Sequence, residues 1–381
     1  MESRQPSNNH GNTGKKGKHS LLSLYGYTLC LLLLGAVVFG LTYSAGGANV
    51  LKDEELRKAE EEAAAIEAAK PTPTPRAVST ATAGRLIPFL ENSLWGYKNT
   101  SGEIVILPAF SAANEFDGNV AFAAKDGLYG LIDRSGAWIA EPAWSSVSDF
   151  AEGMAAVEKD GKWGYIDASG NIKIDYSYRE AGPFGCGRAA VRTASSFGYI
   201  DVMGNIAISE KWTSANVFSN DLAFSLSSKS YIIDKVGKAL ITLNAGSSGE
   251  GYKEDFALIT DSGGCYYINK YGKSAFKKTY SAAKPFSGGY AAVRIDGQWG
   301  FINTGGATLI APQYADVHSF SGGYAAVQNS EGLWGYIDPY GELKIDYRYS
   351  EAGDFKDGFA VSMKDGSWYI VDKSGSEALL Y

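Results

Sequence analysis

From about Arg85 to the end of the chain, apolar and polar residues alternate in short runs that recur at a fixed interval. Each interval predicts three strands. The first closes on a small apolar triplet such as Ala155-Ala156-Val157, repeated at Ala189-Ala190-Val191, Ala291-Ala292-Val293 and Ala325-Ala326-Val327. An Asp-Gly pair follows at Asp126-Gly127, Asp160-Gly161, Asp296-Gly297 and Asp365-Gly366. That pairing tolerates the positive φ of a type I′ hairpin. The return strand reads most fully as Trp163-Gly164-Tyr165-Ile166-Asp167, and a third strand, as in Ile172-Lys173-Ile174, leads to an aromatic. Each unit is therefore expected to be a three-stranded antiparallel meander.

The Asp or Asn that ends the second strand marks nine copies, at Asn99, Asp133, Asp167, Asp201, Asp234, Asn269, Asn303, Asp338 and Asp372. Spacings of 33 to 35 residues separate them. A Gly three residues later, from Gly102 to Gly375, is present every time. A short polar side chain at i and Gly at i+3 is a turn preference, so these acids have a structural role. Such self-similarity marks a tandem repeat whose units bury their cores against one another. The expected fold is all-β, with about nine 34-residue units in an open, twisted β-solenoid-like array over 85–381. The alternative is a β-propeller. The open form is preferred because no unit is split between the two ends, whereas propellers commonly close with strands from both termini and have longer blades.

The copies Lys162-Trp163-Gly164-Tyr165-Ile166-Asp167, Gln298-Trp299-Gly300-Phe301-Ile302-Asn303 and Leu333-Trp334-Gly335-Tyr336-Ile337-Asp338 resemble the bacterial WG-containing repeat family, also written KWG. The resemblance implies a β-repeat module used for binding or interaction, with no shared catalytic residues. Copies five, six and nine depart from it, having Tyr231, Tyr266 and Tyr369 where the others have the glycine. In copies five and six the large ring has moved one residue along, which in a strand changes its face unless a bulge corrects it.

Ahead of the repeats, 21–43 carries no charge and is long enough to cross a bilayer core of about 30 Å as a helix. Lys15, Lys16 and Lys18 precede it, so 1–20 is expected in the cytoplasm and the array outside. A cleaved signal peptide is the alternative, but the apolar run exceeds a usual h-region. Residues 44–70 read as a helical stalk ended by Pro71, and 71–84 as a Pro/Thr/Ser/Ala linker.

Composition narrows the function. Net charge is −7, the 48 residues at the amino terminus carry +3, and about −8 falls on the array, a balance that disfavours nucleic acid. Three cysteines make no disulfide scaffold, and Cys186 and Cys265 occupy different repeat positions. Only His318 lies in the array, so neither a Ser/His/Asp arrangement nor a paired-histidine zinc motif can be written. Calcium loops would need denser Asp/Asn/Gly spacing than the turn acids provide. No catalytic, metal or cofactor residues are expected. The candidate ligand-binding residues are Trp144, Tyr178, Trp212, Tyr231, Tyr266, Tyr280 and Tyr314: facing outward they would form an aromatic ladder, facing inward they would pack between units. The expected function is a single-pass, membrane-anchored extracytoplasmic scaffold that holds an envelope protein or glycan. The alternative is a carbohydrate-binding or carbohydrate-active envelope protein using the ladder and unrecognised carboxylates.

The turn reading makes a direct prediction. Gly170→Val will lower the melting temperature more than Ser169→Ala, because a β-branched residue resists positive φ. Equal melting temperatures would refute the turn assignment.

Overall fold

The computed structural model describes residues 84–381 apart from 245 and 250. The expected cytoplasmic tail, membrane helix and stalk, and the linker up to residue 83, lie outside these residues. Nine antiparallel sheets follow one another along the chain and form the blades of a nine-bladed β-propeller. Seven sheets have four strands, and blades 1 and 6 have three. Blade 3 shows the common pattern: a two-residue strand Ser146–Val147, then Met154–Lys159, Lys162–Asp167 and Ile172–Tyr178. The last three are the expected meander. The short leading strand corrects the three-stranded unit: after Trp144 ends the last strand of blade 2, the chain passes through one residue and pairs with blade 3. Each unit thus lends its successor a strand.

No blade has a core of its own. Side chains alternate along a strand, so the triplet of blade 3 divides: Ala155 and Val157 enter the core shared with blade 2, while Ala156 enters the core shared with blade 4. Burial on both faces explains why the triplet is continuously apolar and why its residues are small. Eight such cores join successive blades. The ninth joins blade 1 to blade 9 through Ile87, Phe89, Ile370 and Leu380. The array is closed, and the preference for an open solenoid is overturned. Closure needs no strand shared between the termini, because blades 1 and 9 meet face to face like every other pair.

The Trp-Gly pair has a backbone cause. In six blades the last strand bulges beside the glycine, as where Trp163 pairs with Tyr178 while Tyr165 pairs with Ile174. A Cβ on Gly164 would lie 2.6 Å from the carbonyl oxygen of Ile174, and the equivalent distances at Gly96, Gly130, Gly198, Gly300 and Gly335 are 2.5 to 2.7 Å. Only glycine lets the bulged strand approach that closely. Where tyrosine replaces it, the bulge is altered or absent. Blade 9 pairs Tyr369, Ile370 and Val371 with Leu379, Ala378 and Glu377 in unbroken register. In blade 5 Tyr231 and Ile232 face Thr242 and Ile241, and blade 6 keeps only isolated bridges in place of a last strand. The register to the preceding strand stays regular in blade 5, so Tyr231 takes the glycine's face and packs on Trp212.

The tyrosine of the phrase ties neighbouring blades together. Tyr97, Tyr165, Tyr199, Tyr267 and Tyr336 donate to the carbonyl oxygens of Asn114, Gly182, Asn216, Lys284 and Gly353, each in the next blade, at 2.6 to 2.8 Å. Burial raises the phenol pKa of Tyr97, Tyr165 and Tyr336 and pushes that of Tyr199 up to about 12, so these four remain donors well above neutral pH. In blade 5 Ser230, standing where the tryptophan would be, donates to Ser247 instead. Each bond contributes about 0.5–1.5 kcal/mol, against about 1.5–3 kcal/mol for each large apolar side chain buried. Packing therefore dominates, and the hydroxyls fix the spacing.

The Asp or Asn of all nine copies caps its own turn. In blade 3 the Asp167 carboxylate accepts from the amides of Ser169 and Asn171, and the Gly170 amide bonds the Asp167 carbonyl, with φ +78° at Gly170. The backbone and side-chain donors of Asn171 and Ser169 hold Asp167 below the usual carboxylate range. The Asp-Gly hairpins have positive φ at both residues, as type I′ requires.

Gly164→Ala is expected to destabilise the protein by about 1–3 kcal/mol, because its methyl group has no room beside the bulge. A chemical-denaturation midpoint unchanged from wild type would show that the bulge relaxes freely.

Candidate functional site

Trp144, Tyr178, Trp212, Tyr280 and Tyr314 are each at most 6 % exposed and lie in the cores between blades. They form no outward-facing ladder. Tyr231 and Tyr266 are half-buried against the cores on either side of blade 5. The burial of the first five is positional: rings at this place pair with the tryptophan position and share its face, as Trp163↔Tyr178 and Trp299↔Tyr314 show, whereas Tyr231 and Tyr266 stand at the glycine position. Tyr381 takes the corresponding place in blade 9, its carbonyl accepting from the Trp368 amide.

His318 joins blades 8 and 9, its Nδ1 lying 2.8 Å from Asp354 and its ring standing edge-on to Trp334. Cys186 and Cys265 are free thiols. Among the described residues no cluster of His, Cys, Asp and Glu is placed to hold a metal ion.

The polar side chains that do converge lie at the seam where the ring closes. Blade 1 has no short leading strand among the described residues, and the seam core contains four buried residues, against ten between blades 7 and 8. Charged groups reinforce it. Arg85 reaches from blade 1 to the carbonyl oxygens of Lys356 and Phe359 in blade 9, at 3.0 and 2.9 Å. Its other terminal nitrogen meets Glu115 of blade 2 at 2.7 Å, and the second oxygen of Glu115 meets Lys356 at 2.8 Å. Lys98 adds a bond to the carbonyl of Leu380. One carboxylate thus joins blades 1, 2 and 9.

Beside this clamp lies a cleft of about 330 Å³ lined by Arg85, Glu115, Phe116, Arg134, Lys356 and Asp357, among others. The Arg134 guanidinium stands over the Phe116 ring and donates to the carbonyl of Gly118. Partial burial acts to raise the pKa of Glu115, but the hydrogen bonds and charges of Lys356 and Arg85 outweigh it and hold the carboxyl below its ordinary value of 4.5. Within the cleft, Glu115 is committed to joining blades through Arg85 and Lys356.

Sequence reasoning missed this cluster because its members are far apart in the chain and come from different repeat positions. The available signal was at the array's start, where the loop aromatic found at Phe116, Phe150, Phe184 and Phe218 has no counterpart at Thr82.

A family model described as "WG containing repeat" matches residues 95–129, 129–163, 163–194, 197–224, 267–299, 299–332 and 334–368. The unmatched stretch between 224 and 267 holds the departures at Tyr231 and Tyr266. No curated protein is matched by the sequence. Among solved structures, the fold is similar to a "Crystal structure of the eukaryotic initiation factor", with TM-score 0.55 and 11 % identity over 77 % of this chain and 95 % of that one. A second similar structure is BamB from Moraxella catarrhalis, with TM-score 0.37 and 12 % identity over 71 % of this chain and 98 % of that one.

A carboxyl whose pKa is depressed on folding contributes stability above its unfolded value and loses it as pH falls through the folded value. The seam should therefore loosen as pH drops below 4.5. At neutral pH, Glu115→Gln should speed amide exchange in Leu86–Glu91 and Ser367–Asp372 more than in Tyr290–Ile295. Uniform exchange in all three strands would remove Glu115 from ring closure.

Proposed function

From the chain's membership of the WG-containing repeat family, whose model matches seven stretches between 95 and 368, we propose that it is a membrane-anchored extracytoplasmic binding scaffold of a bacterial envelope. The observation that carries this reading is the order of segments: Lys15, Lys16 and Lys18, the uncharged run 21–43, the Pro/Thr linker and then the ring. A positive flank before an apolar run of that length directs the following domain across the bilayer. Among the described residues no helix is long and apolar enough to cross a membrane; the anchoring role is assigned to 21–43 from its sequence.

The ring supports a binding role through its construction. The phrase and its turn acids are consumed by packing and capping, which leaves exposed loops and strand edges free to differ from blade to blade. A scaffold of this kind holds a partner without transforming it. The carbohydrate reading that rested on an aromatic ladder has no support from these rings, which are buried or half-buried.

Membrane fractionation of cells producing the full chain, followed by protease treatment of intact cells, tests the reading. The chain should sediment with membranes and the ring should be digested from outside. Recovery of an intact chain in the soluble cytosolic fraction would overturn the proposal.

A further inference from the structure

The turns that begin at the marker Asp or Asn all lie on one rim of the propeller. In blade after blade the turn glycine packs on the last strand of the preceding blade: Gly204 against Ile174, Gly237 against Ile208, Gly272 against Ile241. Consecutive turns are therefore neighbours around that rim, and their tips can be compared position by position.

The residue before the turn glycine is serine in blades 1, 2, 3 and 9, at Ser101, Ser135, Ser169 and Ser374. In blades 4, 5 and 6 it is Met203, Val236 and Tyr271. These three are 77 %, 75 % and 73 % exposed. A single exposed apolar residue needs no explanation, but the same tip made apolar in three consecutive blades forms a set. Val202 widens it beside Met203. Blade 7 interrupts the set with Gly305, so Tyr340 of blade 8 stands apart.

Lysines flank the tips of blades 5 and 6, whereas the blade 4 turn holds Asp201 and no lysine. Residues 229–278 contain eight lysines and five acids, a net +3 in an array that totals about −8. Four of them belong to the turns themselves: Lys235, Lys238, Lys270 and Lys273. Lys235 is paired with Asp221, whereas Lys238, Lys270 and Lys273 are exposed. The carboxylate of Asp234 is occupied by the amides of Val236 and Lys238, and blade 6 has the neutral Asn269 at that position.

We propose that the rim of blades 4, 5 and 6 docks onto an anionic lipid bilayer, with Met203, Val236 and Tyr271 entering the interface and Lys238, Lys270 and Lys273 meeting the headgroups. Apolar tips carried on separate turns, two of the three flanked by long cationic side chains, match the layered chemistry of a bilayer surface, where tyrosine also favours the boundary. An acidic protein surface would satisfy the lysines but leave the protruding tips in water. The inference stands apart from the anchor, because it concerns the ring alone.

All nine interblade cores and the closing clamp lie within 84–381, so these residues form a self-contained body for the test. This ring should co-sediment with phosphatidylcholine vesicles containing phosphatidylglycerol but not with pure phosphatidylcholine vesicles, and added salt should weaken binding. The triple change Met203→Ser, Val236→Ser and Tyr271→Ser copies the tips of other blades and should reduce binding at least about tenfold with an unchanged melting temperature. Lys238→Glu, Lys270→Glu and Lys273→Glu together should abolish the dependence on phosphatidylglycerol. Failure to bind the anionic vesicles, or equal binding by the triple-serine variant, would overturn the proposal. So would concentration-dependent dimerisation that the triple-serine change removes, since the rim would then meet a second copy.

Discussion

Everything in this molecule depends on the fact that a single blade cannot bury its own apolar face. A three-stranded meander with a two-residue leading strand has an apolar side chain on each face at every triplet, and neither face is covered from within the unit. Stability therefore resides in the interfaces, and an end blade left open would expose a complete core surface. Closing the ring removes both ends together. The requirement also limits side-chain size: alanine dominates the triplet because a blade buried on two sides must admit neighbours close on each.

The same constraint gives the Trp-Gly phrase its meaning. Tryptophan and tyrosine lie on the face toward the next blade, where the indole packs and the phenol reaches a carbonyl of that blade. Glycine lies on the other face, where the bulged last strand leaves no room for a Cβ. The phrase thus serves two interfaces at once. Its failures are informative in the same terms: Tyr369 abolishes the bulge in blade 9 without opening the ring, so the bulge shapes a blade but does not hold the propeller together.

Strands, hairpins and capped turns were legible in the sequence because each depends on residues within a few positions of one another. The αL glycines and the Asp-Gly hairpins stand where their local signals put them. Closure was not legible, since a period of about 34 residues specifies the unit and not the angle between units. The direction of the aromatics at Trp144, Tyr178 and Tyr314 was hidden for a related reason. Period-2 alternation fixes a face only while register is regular, and here the bulge intervenes between the ring and the preceding apolar residue. The clamp was the least visible, because Arg85, Glu115 and Lys356 become neighbours only when the ring closes.

Repetition also separates what each position is free to do. A residue that serves a core is held by two blades, so substitution there is felt on both sides of the interface. The tip of an Asp-x-x-Gly turn serves neither, because the turn is held by its own carboxylate and by the glycine beneath it. That is why serine, methionine, valine, glycine and tyrosine all occur at one tip position without disturbing the turn. The clamp at the seam is the opposite case: four buried residues make it the smallest core, and charges compensate where apolar area is lacking. Chemistry particular to this chain is therefore to be sought on the rim, where the fold imposes nothing, and charge at the seam is explained by closure before any ligand need be invoked.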